Sequence, residues 1–170
     1  DVAAAKPNAA HIGLAELEKH FDVTIITQNI DDLHERGGST DVMHLHGEIF
    51  KMRSERNEQL IYDIRGDIKL GDKAEDGSQL RPNIVWFEEA VPMIEEAIPV
   101  VHGADVFVVV GTSLVVYPAA GLINYVSAFA PKYIIDKQVP VTQNFHNLTA
   151  IEKPATEGVK DLQALLQRYL

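Results

Sequence analysis

Apolar residues recur along this chain with two different periods. Between Pro7 and His20 the stretch PNAAHIGLAELEKH puts His11, Leu14 and Leu17, with Phe21 beyond, on one stripe, so it predicts an amphipathic helix, and Pro7 suits its first turn. The period then shortens. Val23 to Thr27 predicts a buried strand, Asp31 to Arg36 a short helix closed by Gly37-Gly38, and Val42 to His46 a strand by alternation. Asn83 to Phe87 predicts another strand, and Pro92 to His102 a helix that Pro99 should kink or shorten. Asp105 to Val110 is the most apolar strand; Gly111-Thr112-Ser113 breaks it and a helix follows from near Pro118. Tyr133 to Ile135 predicts a strand ending at Asp136, and Thr156 to Tyr169 a last helix. Strands alternating with helices, with one strand apolar on both faces, predict an α/β fold: a parallel sheet with helices on both faces. Residues 51 to 80 are charged, Gly-punctuated and weakly periodic, and predict a small excursion with a hairpin at Ile61 to Leu70.

Composition narrows the function. The chain has 170 residues, room for one domain or one domain with a small excursion; 46% are hydrophobic and 24% charged, as in a soluble globular protein. No apolar run approaches the roughly 20 residues of a membrane span, and no secretory pattern opens the sequence. With no cysteine, disulfides and thiolate metal sites are excluded, which fits a reducing, cytoplasmic setting. A net charge of -10 without a basic stripe argues against nucleic acid and for a basic peptide or a small ligand. The sequence begins at Asp1 with a helix already complete and no strand before it, so a trimmed or partial chain is expected.

Polar residues gather where ligands bind in such folds, beyond the carboxyl ends of strands. Gln28, Asn29 and Asp31 follow one strand; Gly111, Thr112 and Ser113 follow another; Asp136 ends a third. Gly111 permits close backbone approach, Thr112 and Ser113 can bond phosphate or ribose oxygens, and Asp136 can accept from ribose hydroxyls, as in half of a dinucleotide site. Gly-Thr-Ser after a strand is, however, more often only a turn and a helix cap. In DVMHLHGE, Val42, His44 and His46 share one strand face, and Met43 and Leu45 the other, which should meet the core. His44 and His46 then read as a pair of metal ligands, or one of them as a base, or as packed residues without chemistry.

These motifs together resemble one family. Thr27-Gln28-Asn29-Ile30-Asp31, His46-Gly47, Arg81-Pro82-Asn83-Ile84-Val85-Trp86-Phe87 and Gly111-Thr112-Ser113 are similar, in order and spacing, to the sirtuins, NAD-dependent protein-lysine deacylases. The likeness extends over nearly the whole chain. It implies a Rossmann-like NAD-binding domain (1–48 and 83–170) and a small subdomain in the place of a zinc ribbon (49–82), with NAD and acyl-lysine meeting between them. It implies that His46 is the catalytic histidine that activates a ribose hydroxyl. Gln28, Asn29 and Asp31 would surround nicotinamide and its ribose, Asn29 with a share in catalysis. Gly111, Thr112, Ser113 and Asp136 would contact NAD, with Ala155 near the adenine. Val85, Trp86 and Phe87 would line the acyl-lysine tunnel, with Glu88 beside the peptide, which would add as an extended strand along residues 85 to 89. The implied products are free lysine, nicotinamide and O-acyl-ADP-ribose. Holding the amide oxygen against the sugar carbon, a preorganised polar site for the developing cation, and an imidazole to take the ribose proton are what such chemistry needs.

The sequence departs from the family pattern in three places. The family's cysteine pairs would fall at Ser54 and Asn57, then at Gly71 and Ala74, so no metal and no zinc are expected and the excursion should pack around Leu60, Ile61, Tyr62, Ile64, Ile68 and Leu70. Glu88 stands where a glycine is usual; with Glu89 it would crowd the peptide, attract its basic flanks, or stay solvated. The family's Gly-Ala-Gly phosphate loop and its arginine-bearing cofactor loop are not in this sequence, and a molecule without them should bind NAD poorly. The competing functions are a metal-dependent hydrolase using His44, His46 and Asp31, and a catalytically impaired NAD or ADP-ribose-binding module.

Overall fold

The computed structural model describes residues 5–54, 61–63, 79–84, 93–111, 119–139 and 145–170. The first helix, α1, spans Ala9–Glu16 and runs on into a 3-10 turn at Leu17–Lys19. Its start is a reciprocal cap. The Asn8 side chain accepts from Ala10 N at 2.9 Å and His11 N at 3.1 Å, while His11 Nδ1 accepts from Asn8 N at 3.0 Å. Pro7 therefore lies just ahead of the cap and not in the first turn. Such a cap stabilises by about 1 kcal/mol.

Strand β1 is Ile25–Thr27, helix α2 Leu33–Arg36 and strand β2 Val42–His44. The expected strand through His46 thus ends two residues early, and Leu45-His46 turns. Strand β3, Gly47–Ser54, follows at once; it pairs antiparallel with β4, Ile61–Asp63, and with β5, Leu80–Ile84. Ile61, expected inside the excursion's packing, is 48% exposed. Leu60, Ile64, Ile68 and Leu70 lie outside the described residues, as do Asn57, Gly71 and Ala74.

Helix α3, Met93–His102, runs through Pro99 without ending there. The ring sits on an exposed face, and the Pro99 carbonyl still accepts from Gly103 N at 3.1 Å, so one turn continues beyond it. Strand β6 is Phe107–Val110 and β7 Lys132–Asp136; the helix expected from near Pro118 is a 3-10 helix at Ala119–Tyr125. Strand β8, Leu148–Glu152, and helix α4, Ala155–Leu166, complete the order, with a 3-10 turn at Gln167–Tyr169.

The parallel sheet is ordered β6-β7-β8, and β1-β2 form a parallel pair. β7 is central, and Lys132 to Ile135 are all buried; β6, the most apolar in sequence, is only half-buried. Helices cover both faces. On one, Ala10 and Leu14 of α1 and Val159, Leu162 and Leu166 of α4 pack with Tyr133, Ile135 and Ile151, joined by Ile25, Val106, Val108 and Val110. On the other, Ala97 and Val101 of α3 pack with Leu122, Val126 and Leu45, joined by Ile26, Met43 and Phe107. Adjacent residues of β1 and of β6 thus feed opposite cores, as the alternation of a strand requires.

Candidate active site

β1 and β2 pair in the register Ile25↔Val42, Ile26↔Met43 and Thr27↔His44, and Leu45 N donates to Thr27 O at 2.9 Å. Parallel strands end on the same side. The chain therefore leaves β1 as Gln28–Asp31 and β2 as Leu45-His46 at one rim. Leu45 points into the core and is 1% exposed, and Met43 packs against the same cluster, as the alternation predicts.

Short hydrogen bonds shape the segment after β1. Thr27, buried, accepts through Oγ1 from Asn29 N at 3.0 Å. Asp31 accepts through Oδ1 from Leu33 N at 3.1 Å and so opens α2 with its side chain, while Asp32 bonds Arg36 Nε at 2.8 Å. Gln28 and Asp31 are half-buried and the Asn29 residue is exposed.

His44 is engaged at both ring nitrogens. Its side chain is 5% exposed; Nδ1 lies 3.2 Å from Asn29 O and Nε2 2.7 Å from Glu35 Oε2. A carbonyl only accepts, so Nδ1 carries the hydrogen that Asn29 O receives, while Nε2 lies within hydrogen-bond distance of the Glu35 carboxyl. Both nitrogens are thus engaged by groups of the protein, which argues against His44 as one of a pair of metal ligands. Among the described residues no group of three or more His, Cys, Asp or Glu side chains is arranged to hold a metal ion.

Beside this link, the His11 and His34 rings meet edge to face with centroids 4.8 Å apart. Burial is the main cause holding His34 below the ordinary imidazole value; His11 and His44 push the same way, and Asp31 and Glu35 oppose them. Burial also lowers His11, against Asp31.

His46 is half-buried in the turn between β2 and β3. The next residue, Gly47, pairs with Ile84, the last residue of β5. The segment that begins at Val85 thus departs from the residue paired beside His46; Val85, Trp86, Phe87 and Glu88 themselves lie outside the described residues.

The larger sheet offers a second rim. Val110 pairs with Ile135 and Asp136 with Glu152, so Gly111, Asp136 and the start of α4 at Ala155 follow neighbouring strand ends. Gly111 has φ +63° and donates from N to Ile135 O at 2.8 Å. Among the described residues a Cβ there would meet nothing within 4 Å, so the backbone conformation is what calls for glycine. Thr112 and Ser113 lie outside the described residues.

The family model described as Sir2 family matches residues 1–118. This chain belongs to the Sir2 family. Curated relatives of this Sir2-family chain include an NAD-dependent protein deacylase of Bacteroides thetaiotaomicron, 52% identical over 167 residues, which are 95% of this chain and 71% of that protein. Another, from Helicobacter pylori, is 50% identical over 163 residues, covering 94% and 70%. A solved structure of a mutant Sir2 homologue with ADP-ribose superposes with a TM-score of 0.82 at 35% identity, over 99% of this chain and 70% of that one. A Sir2 homologue with NAD gives 0.81 at 35% identity, over 99% and 68%. A Sir2 protein bound to acetylated peptide gives 0.76 at 32% identity, over 96% and 72%. The Rossmann-like α/β fold expected from the sequence is the fold of this Sir2-family chain.

Within it, the structure gathers Gln28, Asn29, Asp31 and His46 at the end of the β1–β2 pair, and Gly111, Asp136 and Ala155 at the end of the β6–β7–β8 sheet. Sequence reasoning missed Glu35 and the occupation of His44. The spacing of His34 and Glu35 on α2 gave no signal that the neighbouring strand would place an imidazole against the helix.

Proposed function

We propose that the chain removes acyl groups from protein lysine side chains at the expense of NAD, releasing nicotinamide and O-acyl-ADP-ribose. The observation that carries this reading is the register Thr27↔His44, which delivers the amide–acid segment 28–31 and His46 to one rim, in a chain half identical to proteins of that name. NAD, when bound, supplies an electrophilic sugar carbon from which nicotinamide departs. Gln28, Asn29 and Asp31 hold the nicotinamide end, and Gly111, Thr112, Ser113, Asp136 and Ala155 the remainder; the left-handed φ at Gly111 fits such a ligand. His46 takes a proton from a ribose hydroxyl. Its competitor for that role, His44, already has both ring nitrogens occupied.

Acyl-lysine peptides or proteins are the proposed partners. Val85, Trp86 and Phe87 wall the acyl group and Glu88 meets the peptide. The antiparallel sheet β4-β3-β5 forms the core of the small subdomain, residues 49–82, and 1–48 with 83–170 form the NAD-binding domain. Net charge -10 disfavours nucleic acid as a partner, and no described helix is long and apolar enough to cross a membrane. The zero cysteine count supports a reducing, cytoplasmic setting, and cell fractionation tests it.

The experiment is nicotinamide release from NAD with an acetyl-lysine peptide, for the parent and His46→Ala. Loss of a base should slow turnover by about 10²–10⁴-fold. NAD consumption indifferent to that substitution would remove the role of His46. Deacylation without NAD that needs added metal would replace the whole reading with the hydrolase.

A further inference from the structure

We infer that His44 is a positioning residue, whose imidazole ties the backbone of Asn29 to Glu35 and so fixes the nicotinamide-facing segment relative to His46. The inference rests on the proposed function for its catalytic meaning, but its structural content stands alone. The Asn29 residue is held from both sides: its N–H donates to Thr27 Oγ1 at 3.0 Å, and its carbonyl accepts from His44 Nδ1 at 3.2 Å. With the backbone held, the residue stays exposed, as one that meets a ligand must be.

The other edge of the ring reaches α2. Nε2 meets Glu35 Oε2 at 2.7 Å, and α2 is in turn joined to the segment by Asp31 Oδ1 on Leu33 N and by Arg36 N on Asp32 O at 2.9 Å. One rigid, buried ring therefore braces the start of the segment between β1 and β2 against the helix in its middle. It stands two residues before His46, so base and segment are referred to the same strand. A misplacement of about 1 Å at such a site costs on the order of a hundredfold in rate.

The geometry separates the two arms. Asparagine at position 44 can reproduce the donor at Nδ1 but not reach Glu35; glutamine can reach Glu35 but places no donor at Nδ1. A buried polar side chain that served only to fill space would be replaced equally well, or equally badly, by either. Glu35→Gln keeps a hydrogen-bonding partner for Nε2 and leaves the Nδ1 bond to Asn29 O in place.

The test compares His44→Asn, His44→Gln and Glu35→Gln in the full chain by steady-state kinetics, thermal unfolding, and hydrogen exchange over residues 28–36. We expect His44→Gln to lower kcat about tenfold to a hundredfold relative to His44→Asn, with faster exchange over 28–32, at similar melting temperatures. Glu35→Gln should stay within about threefold of the parent in kcat. Equal kcat and equal exchange in the two His44 variants, or losses that follow melting temperature alone, overturn the inference. If the parent shows no NAD-dependent turnover, the functional proposal falls, and the exchange comparison still decides whether His44 holds the segment.

Discussion

Gly158 of α4 lies so close to Ile135 of β7 that a Cβ at position 158 would overlap the isoleucine Cγ2. The helix approaches the sheet at a point where the strand residue is fully buried and has nowhere to go. Alanine favours a helix over glycine by about 1 kcal/mol, but overpacking a core costs about 1–3 kcal/mol. Gly158→Ala should therefore lower stability by up to about 2 kcal/mol, net of propensity, in a denaturant melt. A stabilised variant would mean the helix shifts outward at little cost.

Gly111 presents the opposite case, with nothing among the described residues within 4 Å of a Cβ there but φ at +63°. Gly111→Ala should cost about 1–2 kcal/mol through backbone strain alone. Because the new methyl would project where the cofactor is proposed to lie, KM for NAD should rise about tenfold with kcat little changed. An unchanged KM would place the cofactor elsewhere.

The hydroxyls of Tyr133 and Tyr169 lie 2.8 Å apart. Burial first, and then this hydrogen bond, push the Tyr133 phenol up to about 12. A pKa raised in the folded state gives stability that is complete below the ordinary value of about 10 and is lost as pH rises towards about 12. Tyr133 should thus ionise late in an absorbance titration of the phenolate band. Tyr169→Phe should bring that midpoint down without restoring the ordinary value, since burial remains.

His11 and His34 run in the other direction. Both are lowered, chiefly by burial, so their contribution to stability is complete above the ordinary imidazole value of about 6.5 and declines as pH falls below it. Melting temperature should drop between about pH 7 and about pH 5. His11→Gln keeps a side-chain acceptor for Asn8 N, as glutamine does in a capping box, and should flatten part of that slope without loss at neutral pH.

Lys132 is buried at 3% exposure, and its ammonium donates to the carbonyls of Ser127 at 3.2 Å, Ala130 at 3.0 Å and His146 at 3.3 Å. Lys132→Met would leave those acceptors without their donor and should cost about 3 kcal/mol by chemical denaturation. Lys132→Arg should not rescue it, because a planar fork does not reproduce a tripod.

Much of this arrangement was legible in the sequence where one face of an element is buried and the other is not. Helix α4 declares itself through Gly158, Val159, Leu162 and Leu166, and Met43 and Leu45 mark the core face of the segment that becomes β2. β8 was missed because Thr149, Ala150 and Glu152 are exposed and Ile151 alone is buried, so a strand at this sheet's edge carries almost no alternation. β3 was hidden in GEIFKMRS, where charges interrupt the apolar positions and the partners that define the strand are distant in sequence. Of the site, the motifs indicated Gln28 to Asp31 and His46. Gly47 beside His46 was the local mark that separated the two histidines; that His44 is occupied was not legible, because its partners Asn29 and Glu35 are distant in sequence.

The antiparallel ladder of β3 with β5, from Gly47↔Ile84 to Ser54↔Leu80, closes a loop whose two feet stand beside His46 and before Val85. Lengthening a closed loop is cheap, about 0.6 kcal/mol for each doubling, whereas the paired register of the ladder fixes where the two feet emerge. The span between Ser54 and Leu80 is accordingly where insertions, deletions or the exchange of metal ligands for other residues can accumulate over generations. The feet are where they cannot, and the chemistry is insulated from the history of the module that hangs beside it.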